Sequence, residues 1–183
     1  MTRQTIGKFL LFLCVASGGL TATIALPAFA ESEPTVAQPT LPQEKLTIQS
    51  ANGAHLFTVE KAETPAQQIT GEMFRPSVPA DQGMLFVWSA PQESDMWMKN
   101  TLAPLDIVFI GTDGRISSIT ENAVPQSLAR ISSHGPVLAT LELEAGITAK
   151  LGIVVGDRVT SSSLDAKKPK QAASAADLSV KTP

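Results

Sequence analysis

The stretch that decides the fold class is Lys45–Ala62, "KLTIQSANGAHLFTVEKA". Apolar and polar residues alternate on both sides of Asn52-Gly53, a pair that tolerates the positive φ angles of a tight hairpin turn. Strand parity puts Leu46 and Ile48 on one face, and Phe57 and Val59 together on the returning strand. "LDIVFIGTDGRISSIT" (105–120) repeats the pattern around Asp113-Gly114. "GMLFVW" (83–88) and "GPVLATLELEAG" (135–146) are apolar runs opened by glycines, and "GIVVGDRVT" (152–160) reads as a last pair of short strands turning at Gly156-Asp157.

Helical signals are few. Thr64 is placed to cap a helix whose first position is Pro65 and which runs through "AQQITGEMF" until Pro76 forbids continuation. A short helical turn is expected between Glu144 and Leu151, ended by Gly152. Many short strands with few helices predict a mainly β fold, a compact antiparallel β-barrel or sandwich with one or two short helices.

Outside this unit the composition changes. Residues 1–30, "MTRQTIGKFLLFLCVASGGLTATIALPAFA", carry basic Arg3 and Lys8, an uncharged apolar run from Phe9 to Leu26, and a small-x-small end at Ala28-Phe29-Ala30. This is the pattern of a secretory signal peptide, with cleavage expected after Ala30. The run is near the lower limit for spanning a bilayer, so an uncleaved anchor is the alternative. A Pro-rich disordered linker is expected over 31–44, the β-rich domain over 45–160, and a disordered tail over 161–183, where large apolar residues are scarce. The expected location is periplasmic or secreted, with no stable membrane insertion once the leader is removed.

Cys14 lies in the leader, and the residues before it lack the small side chain of a lipoprotein signal. The mature chain then has no cysteine, which excludes disulfides, thiolate chemistry and Cys-ligated zinc. Loss of Arg3 and Lys8 takes the formal net charge of the chain from −3 to −5. No basic patch with interleaved aromatics occurs, so nucleic acid is not an expected partner. His55 and His134 are far apart with no carboxylate at ligand spacing, and neither a G-x-S-x-G elbow nor an HExxH motif is present. Neither a cofactor nor a metal is expected.

The charged residues of interest centre on "DMWMKNTLAPLDIVFI" (95–110). Read as a strand, Asp95–Thr101 points Met96, Met98 and Asn100 one way, and Trp97, Lys99 and Thr101 the other. Beyond Pro104, Asp106 shares an otherwise apolar face with Val108 and Ile110. A buried carboxylate needs a partner or a water-filled site, and Lys99 across adjacent strands is the expected partner. Glu142 lies opposite Leu141 and Leu143 in its strand, and Arg75 follows the first helix.

The runs "GEMFR" (71–75), "GMLFVW" (83–88), "MWMKNTLAPLDIVFI" (96–110), "DGRI" (113–116) and "LELEAG" (141–146) occur in an order and spacing that resembles domain-of-unknown-function family 192. The resemblance rests most specifically on the "WMKNT…PLD" core and covers nearly all of Lys45–Val159. It implies a single compact, mostly β domain, often exported, with no biochemical activity assigned to it. Glu72 departs from the pattern, where the family usually has an apolar residue.

Three function classes follow. The leading expectation is a cell-envelope binding module for a small polar, anionic or saccharide-like ligand, with Arg75, Trp97, Lys99, Asn100, Asp106 and Glu142 as the ligand-binding residues. The alternative is an envelope protein-interaction or scaffold domain with a protein partner. A carboxylate-dependent enzyme using Asp106 and Glu142 as acid and base ranks third.

Overall fold

The computed structural model describes residues 33–167; the expected leader and most of the expected tail lie outside the described residues. The described residues form seven strands and three short helices. In order they are β1 (Gln43–Ser50), β2 (Gly53–Ala62), α1 (Pro65–Thr70), β3 (Gln82–Met96) and β4 (Leu105–Gly111). There follow β5 (Ile116–Ala123), β6 (Ile131–Glu144), α2 (Ile147–Leu151), β7 (Arg158–Ser161) and α3 (Ser162–Lys167).

The strands make one curled sheet in the order β5-β4-β6-β3-β2-β1-β7. Its two edges touch at an Arg115–Arg158 bridge, reinforced by the Ile116 amide donating to the Asp157 carbonyl at 2.9 Å. The mainly β architecture expected from alternation is what forms, as a half-barrel. All strand pairs are antiparallel except β2 with β3, where Val59 sits beside Gly83. The α1 crossover and the segment after it carry the chain back to start β3 in the same direction as β2, a connection too long for a hairpin.

Local chemistry explains the elements. The predicted hairpin forms, but Ser50 pairs with Gly53, so its two central residues are Ala51 and Asn52, one position before the expected Asn52-Gly53 pair, and of that pair Gly53 alone takes a positive φ, 134°. Thr64 and Gln67 form a reciprocal capping box, with the Thr64 amide donating to Gln67 Oε1 at 2.9 Å. The helix stops at Gly71, before the expected limit, because Gly71 adopts φ 48°, ψ −133°. Glycine reaches that region without a Cβ penalty.

Both faces of the sheet are covered. Leu46, Ile48, Phe57, Val59, Leu85, Val108, Ile110, Leu141 and Leu143 build the larger core on one face. On the other, Met98, Leu105, Ile107, Phe109 and Val137 form a second cluster, and Leu41, Ala62, Met84 and Phe86 a third. Strand β4 is therefore buried on both sides from Leu105 to Ile110, and reads as a continuous apolar run for that reason.

Four expectations are corrected. Residues 97–104 are not a strand: β3 ends at Met96, and the Thr101 amide turns back to the Met98 carbonyl at 3.1 Å with Asn100 at φ 55°. Asparagine tolerates the left-handed region and ends the extension there. The backbone of this loop serves other loops, Asn100 accepting from the Phe74 amide at 2.9 Å and Met98 donating to Ser127 at 3.0 Å. Of the last strand pair only β7 forms, because the backbone around Gly156 is used to reach Ile116 on the opposite sheet edge. Order begins before Lys45, since Leu41 is buried and its amide donates to Glu60 at 2.7 Å. It continues past 160, where the Ser163 amide and hydroxyl both reach Glu44 and tie α3 onto β1.

Candidate functional site

Parity along β3 and β6 prepares one surface. Met84 pairs with Glu142 and Phe86 with Thr140, so Met84, Phe86 and Trp88 share a face with Thr140 and Glu142. Helix α1 and the turn Gly71–Met73 lie over this face, and the Met96–Thr101 loop flanks it. Between them is a cleft of about 330 Å³, whose lining includes Ile69, Glu72, Phe86, Trp88, Trp97 and Glu142.

Gly71 sets the close approach. A Cβ there would stand 3.3 Å from Phe86 Cζ and 3.8 Å from Glu142 Oε2. Gly83 is more constrained, since a Cβ would come within 2.3 Å of the Glu142 carbonyl oxygen. The rings of Phe86 and Trp88 are tilted by 31° with centroids 6.3 Å apart, forming one aromatic wall. Trp97 is 46% exposed and forms the rim.

The polar groups behind this wall are unevenly satisfied. Arg75 forks onto Glu60, with Nη1 to Oε1 at 2.8 Å and Nη2 to Oε2 at 2.9 Å. It also approaches Glu72 Oε2 at 3.3 Å, outside hydrogen-bond geometry. Three buried polar atoms of cleft-lining residues lack a hydrogen-bond partner: Glu72 Oε2, Glu142 Oε2 and Trp88 Nε1. Buried polar groups are nearly always satisfied, so three such atoms on cleft-lining residues set this region apart.

Protonation follows from the same geometry. Burial pushes the Glu72 carboxyl up to about 7, with neighbouring Glu60 adding and Arg75 opposing. Burial, and then the Glu72 charge, push Glu142 well above the ordinary carboxylate range. At Glu60 burial acts upward, but the hydrogen bonds from Arg75 and the Leu41 amide prevail and lower its value. One cation thus serves three carboxyl groups, and serves Glu60 best.

The six residues singled out in sequence are dispersed. Trp97 and Glu142 line the cleft. Arg75 sits behind Glu72, beside a void of about 20 Å³. Lys99 lies over the Trp97 ring at 5.1 Å and pairs with Glu33 at 2.5 Å, so the expected Lys99–Asp106 pair does not form. Asn100 is the turn residue, its side chain beside Met73 Sδ at 3.9 Å.

Asp106 is on the other face of the sheet. It pairs with Leu143 while Ile107 pairs with Glu142, which separates the two carboxylates that an acid–base pair would have needed together. Its own needs are met: Oδ1 accepts from the Asn122 and Gly146 amides at 2.9 and 2.8 Å. Oδ2 accepts from the Thr148 amide and hydroxyl at 3.0 and 2.6 Å. Asp106 fastens the β6–α2 turn to β4 and β5.

Sequence reading missed Glu72 as a site residue, and missed Trp88. The signals were present: an acid between Gly71 and Met73 in a run destined for burial, and Trp88 in parity with Phe86. Among the described residues no group of three or more His, Cys, Asp and Glu is placed to hold a metal ion.

Comparison with known proteins agrees with the fold. The chain belongs to the DUF192 family, described as an uncharacterized ACR, whose profile matches residues 47–161. A crystal structure from Sinorhizobium meliloti 1021, of a candidate transcription regulator, is 42% identical, with 69% of this chain and 98% of that one covered at a TM-score of 0.66. A protein of unknown function from Novosphingobium aromaticivorans DSM 12444 is 39% identical, with 71% and 94% covered at a TM-score of 0.65. No curated protein matches the chain.

Proposed function

We propose that this DUF192 domain is an exported binding module that holds a small polar ligand in the cleft between α1 and β3. The observation that carries the reading is the presence of three buried polar atoms without a hydrogen bond, on Glu72, Trp88 and Glu142, among the residues lining one cleft with aromatic walls. Aromatic walls with a few convergent polar groups are how small-ligand sites are built. Strands β3 and β6 hold Phe86, Trp88 and Glu142 on rigid backbone, so little ordering cost falls on binding. Export rests on the leader pattern of residues 1–30.

The test is a thermal-shift and calorimetric screen of envelope saccharides, amines and carboxylates against wild type, Trp97→Ala and Glu142→Gln. A ligand that stabilises wild type and is weakened at least tenfold by either change supports the reading. Ligands that bind both variants as they bind wild type, or a screen with no binder, refute it.

A second reading as a protein-interaction domain is favoured by the loops beside the cleft. Leu102, Val124 and Leu128 are 46%, 68% and 70% exposed, and the Gln126 amide ties their loops together through Thr101. Co-purification of a stoichiometric protein partner that survives Glu142→Gln but not Leu128→Asp would select this reading.

A further inference from the structure

The inventory of unpartnered atoms specifies more than polarity. Glu72 Oε2 and Glu142 Oε2 are acceptors when ionised, whereas Trp88 Nε1–H is only a donor. An occupant that completes all three must donate to two carboxylates and accept from one indole. Arg75 is shared unevenly: its two short hydrogen bonds go to Glu60, its ion pair with Glu72 Oε2 is longer at 3.3 Å, and Glu142 Oε2 has no hydrogen-bond partner. Glu142 is only 4% exposed, so its charge cannot be offset by bulk water.

Anions are disfavoured by the same arrangement. Lys99 is held at the rim against Trp97 and Glu33, and the Asp95 carboxylate in the cleft lining already has Arg130 as its partner. An aromatic wall under a rim tryptophan suits a cation with an apolar skeleton, through the negative face of the rings.

We infer that the cleft takes an amino alcohol, a ligand whose ammonium donates to the Glu72 and Glu142 carboxylates while its hydroxyl accepts from Trp88 Nε1–H. The carbon skeleton rests on Phe86, Trp88 and Trp97. This rests on the small-ligand reading above and deepens it by naming the class.

Binding of such a cation favours ionised carboxylates, so it releases protons from groups that burial keeps protonated. The titratable and charged groups that act on Glu72 are Arg75 on its own segment, Glu60 on β2 and Glu142 on β6. With Glu72 at about 7, its ionised fraction rises between pH 5.5 and pH 8, and affinity should climb by up to about 30-fold over that range.

The experiment uses four matched probes with the full chain: 2-amino-1-phenylethanol, phenylethanediol, 2-phenylethylamine and mandelate. Alkylamines of this kind stay protonated through the pH window. The amino alcohol is expected to bind at least tenfold tighter than the diol, with no measurable binding of mandelate. Its affinity should rise with pH in wild type and stay flat in Glu72→Gln, an isosteric change whose folding is checked by circular dichroism. Trp88→Phe should erase the preference for the amino alcohol over 2-phenylethylamine while both amines still bind. Diol or mandelate binding as tightly as the amino alcohol, or a pH-independent affinity in wild type, overturns the amino-alcohol assignment and leaves the small-ligand reading standing. Absence of binding by all four probes and by the wider screen overturns both.

Discussion

Replacing Asp106 by alanine is the sharpest test of the fold. The carboxylate is fully buried and accepts four hydrogen bonds, from the Asn122, Gly146 and Thr148 amides and the Thr148 hydroxyl. Alanine offers none of these donors an acceptor. A donor left unsatisfied in the interior costs on the order of 1 kcal/mol or more, so the four together should cost about 4 kcal/mol. With a urea m-value of roughly 1.5 kcal/mol/M the unfolding midpoint falls by about 2.5 M. Asp106→Asn keeps the shape but sets an amide N–H₂ against one pair of donors, and should cost about half as much.

Urea denaturation followed by circular dichroism measures both, with unchanged m-values as the sign that only stability has moved. Thr148→Ala in the Asp106→Ala background should cost at least 0.5 kcal/mol less than in wild type, because the hydroxyl's partner is already gone. A loss below about 1 kcal/mol for Asp106→Ala, or additive single and double changes, would refute the claim that this carboxylate fastens the β6–α2 turn.

Other perturbations separate the cleft from its supports. Glu72 is raised from 4.5 to about 7, chiefly by burial, so the folded state binds that proton more tightly than the unfolded chain. Stability should then be highest below the unfolded value and fall by roughly 3 kcal/mol as pH rises from about 4.5 to about 7, with Glu142 acting in the same direction. Glu60 acts oppositely, its lowered value withdrawing stability only as pH drops below about 4.5. Urea midpoints at pH 5 and pH 8 check this: wild type should be weaker at pH 8, the drop should shrink in Glu72→Gln, and a midpoint that climbs with pH contradicts it. Gly83→Ala should destabilise by more than about 2 kcal/mol, since the new Cβ meets backbone at 2.3 Å and neither strand can yield; thermal melting decides. Lys99→Ala should leave the melting temperature within about 2 °C of wild type, because its ion pair with Glu33 is largely exposed.

The hairpins were legible because their information is local. The Ala51–Gly53 segment turns β1 into β2 and Asp113-Gly114 turns β4 into β5, and each needs only neighbours in sequence. The α1 capping box is equally local. The Trp97–Thr101 loop was misread because Met96 and Met98 imitate strand alternation, while the decisive feature is one left-handed residue, Asn100. The parallel β2–β3 pair carries no local signature at all. It follows from where the α1 crossover delivers the chain.

Within the site the same division holds. Trp97 and Glu142 stood out as an aromatic and an acid in unusual company, and both line the cleft. Arg75 also stood out, yet its guanidinium is engaged by Glu60, fifteen residues earlier in sequence, and pairing at that distance is invisible to parity. Glu72 became a site residue only when Gly71 let the turn settle against Phe86 and Glu142.

Two buried carboxylates on neighbouring strands show how a strut differs from the proposed binding group. Asp106 and Glu142 are comparably hidden, at 0% and 4% exposure, and a sequence treats them alike. Asp106 has every lone pair directed at a donor of its own chain, so nothing further could be recognised without first breaking those bonds. Glu142 has an oxygen without a partner, next to an open cleft and a second under-served acid. A protein selected only for stability would gain from replacing Glu142 with an apolar side chain, since an unpaired buried acid costs free energy in either protonation state. Glu142→Leu should therefore raise the melting temperature while abolishing the binding proposed for the cleft. If it lowers stability instead, Glu142 supports the fold, and the distinction drawn from hydrogen-bond satisfaction fails for this molecule.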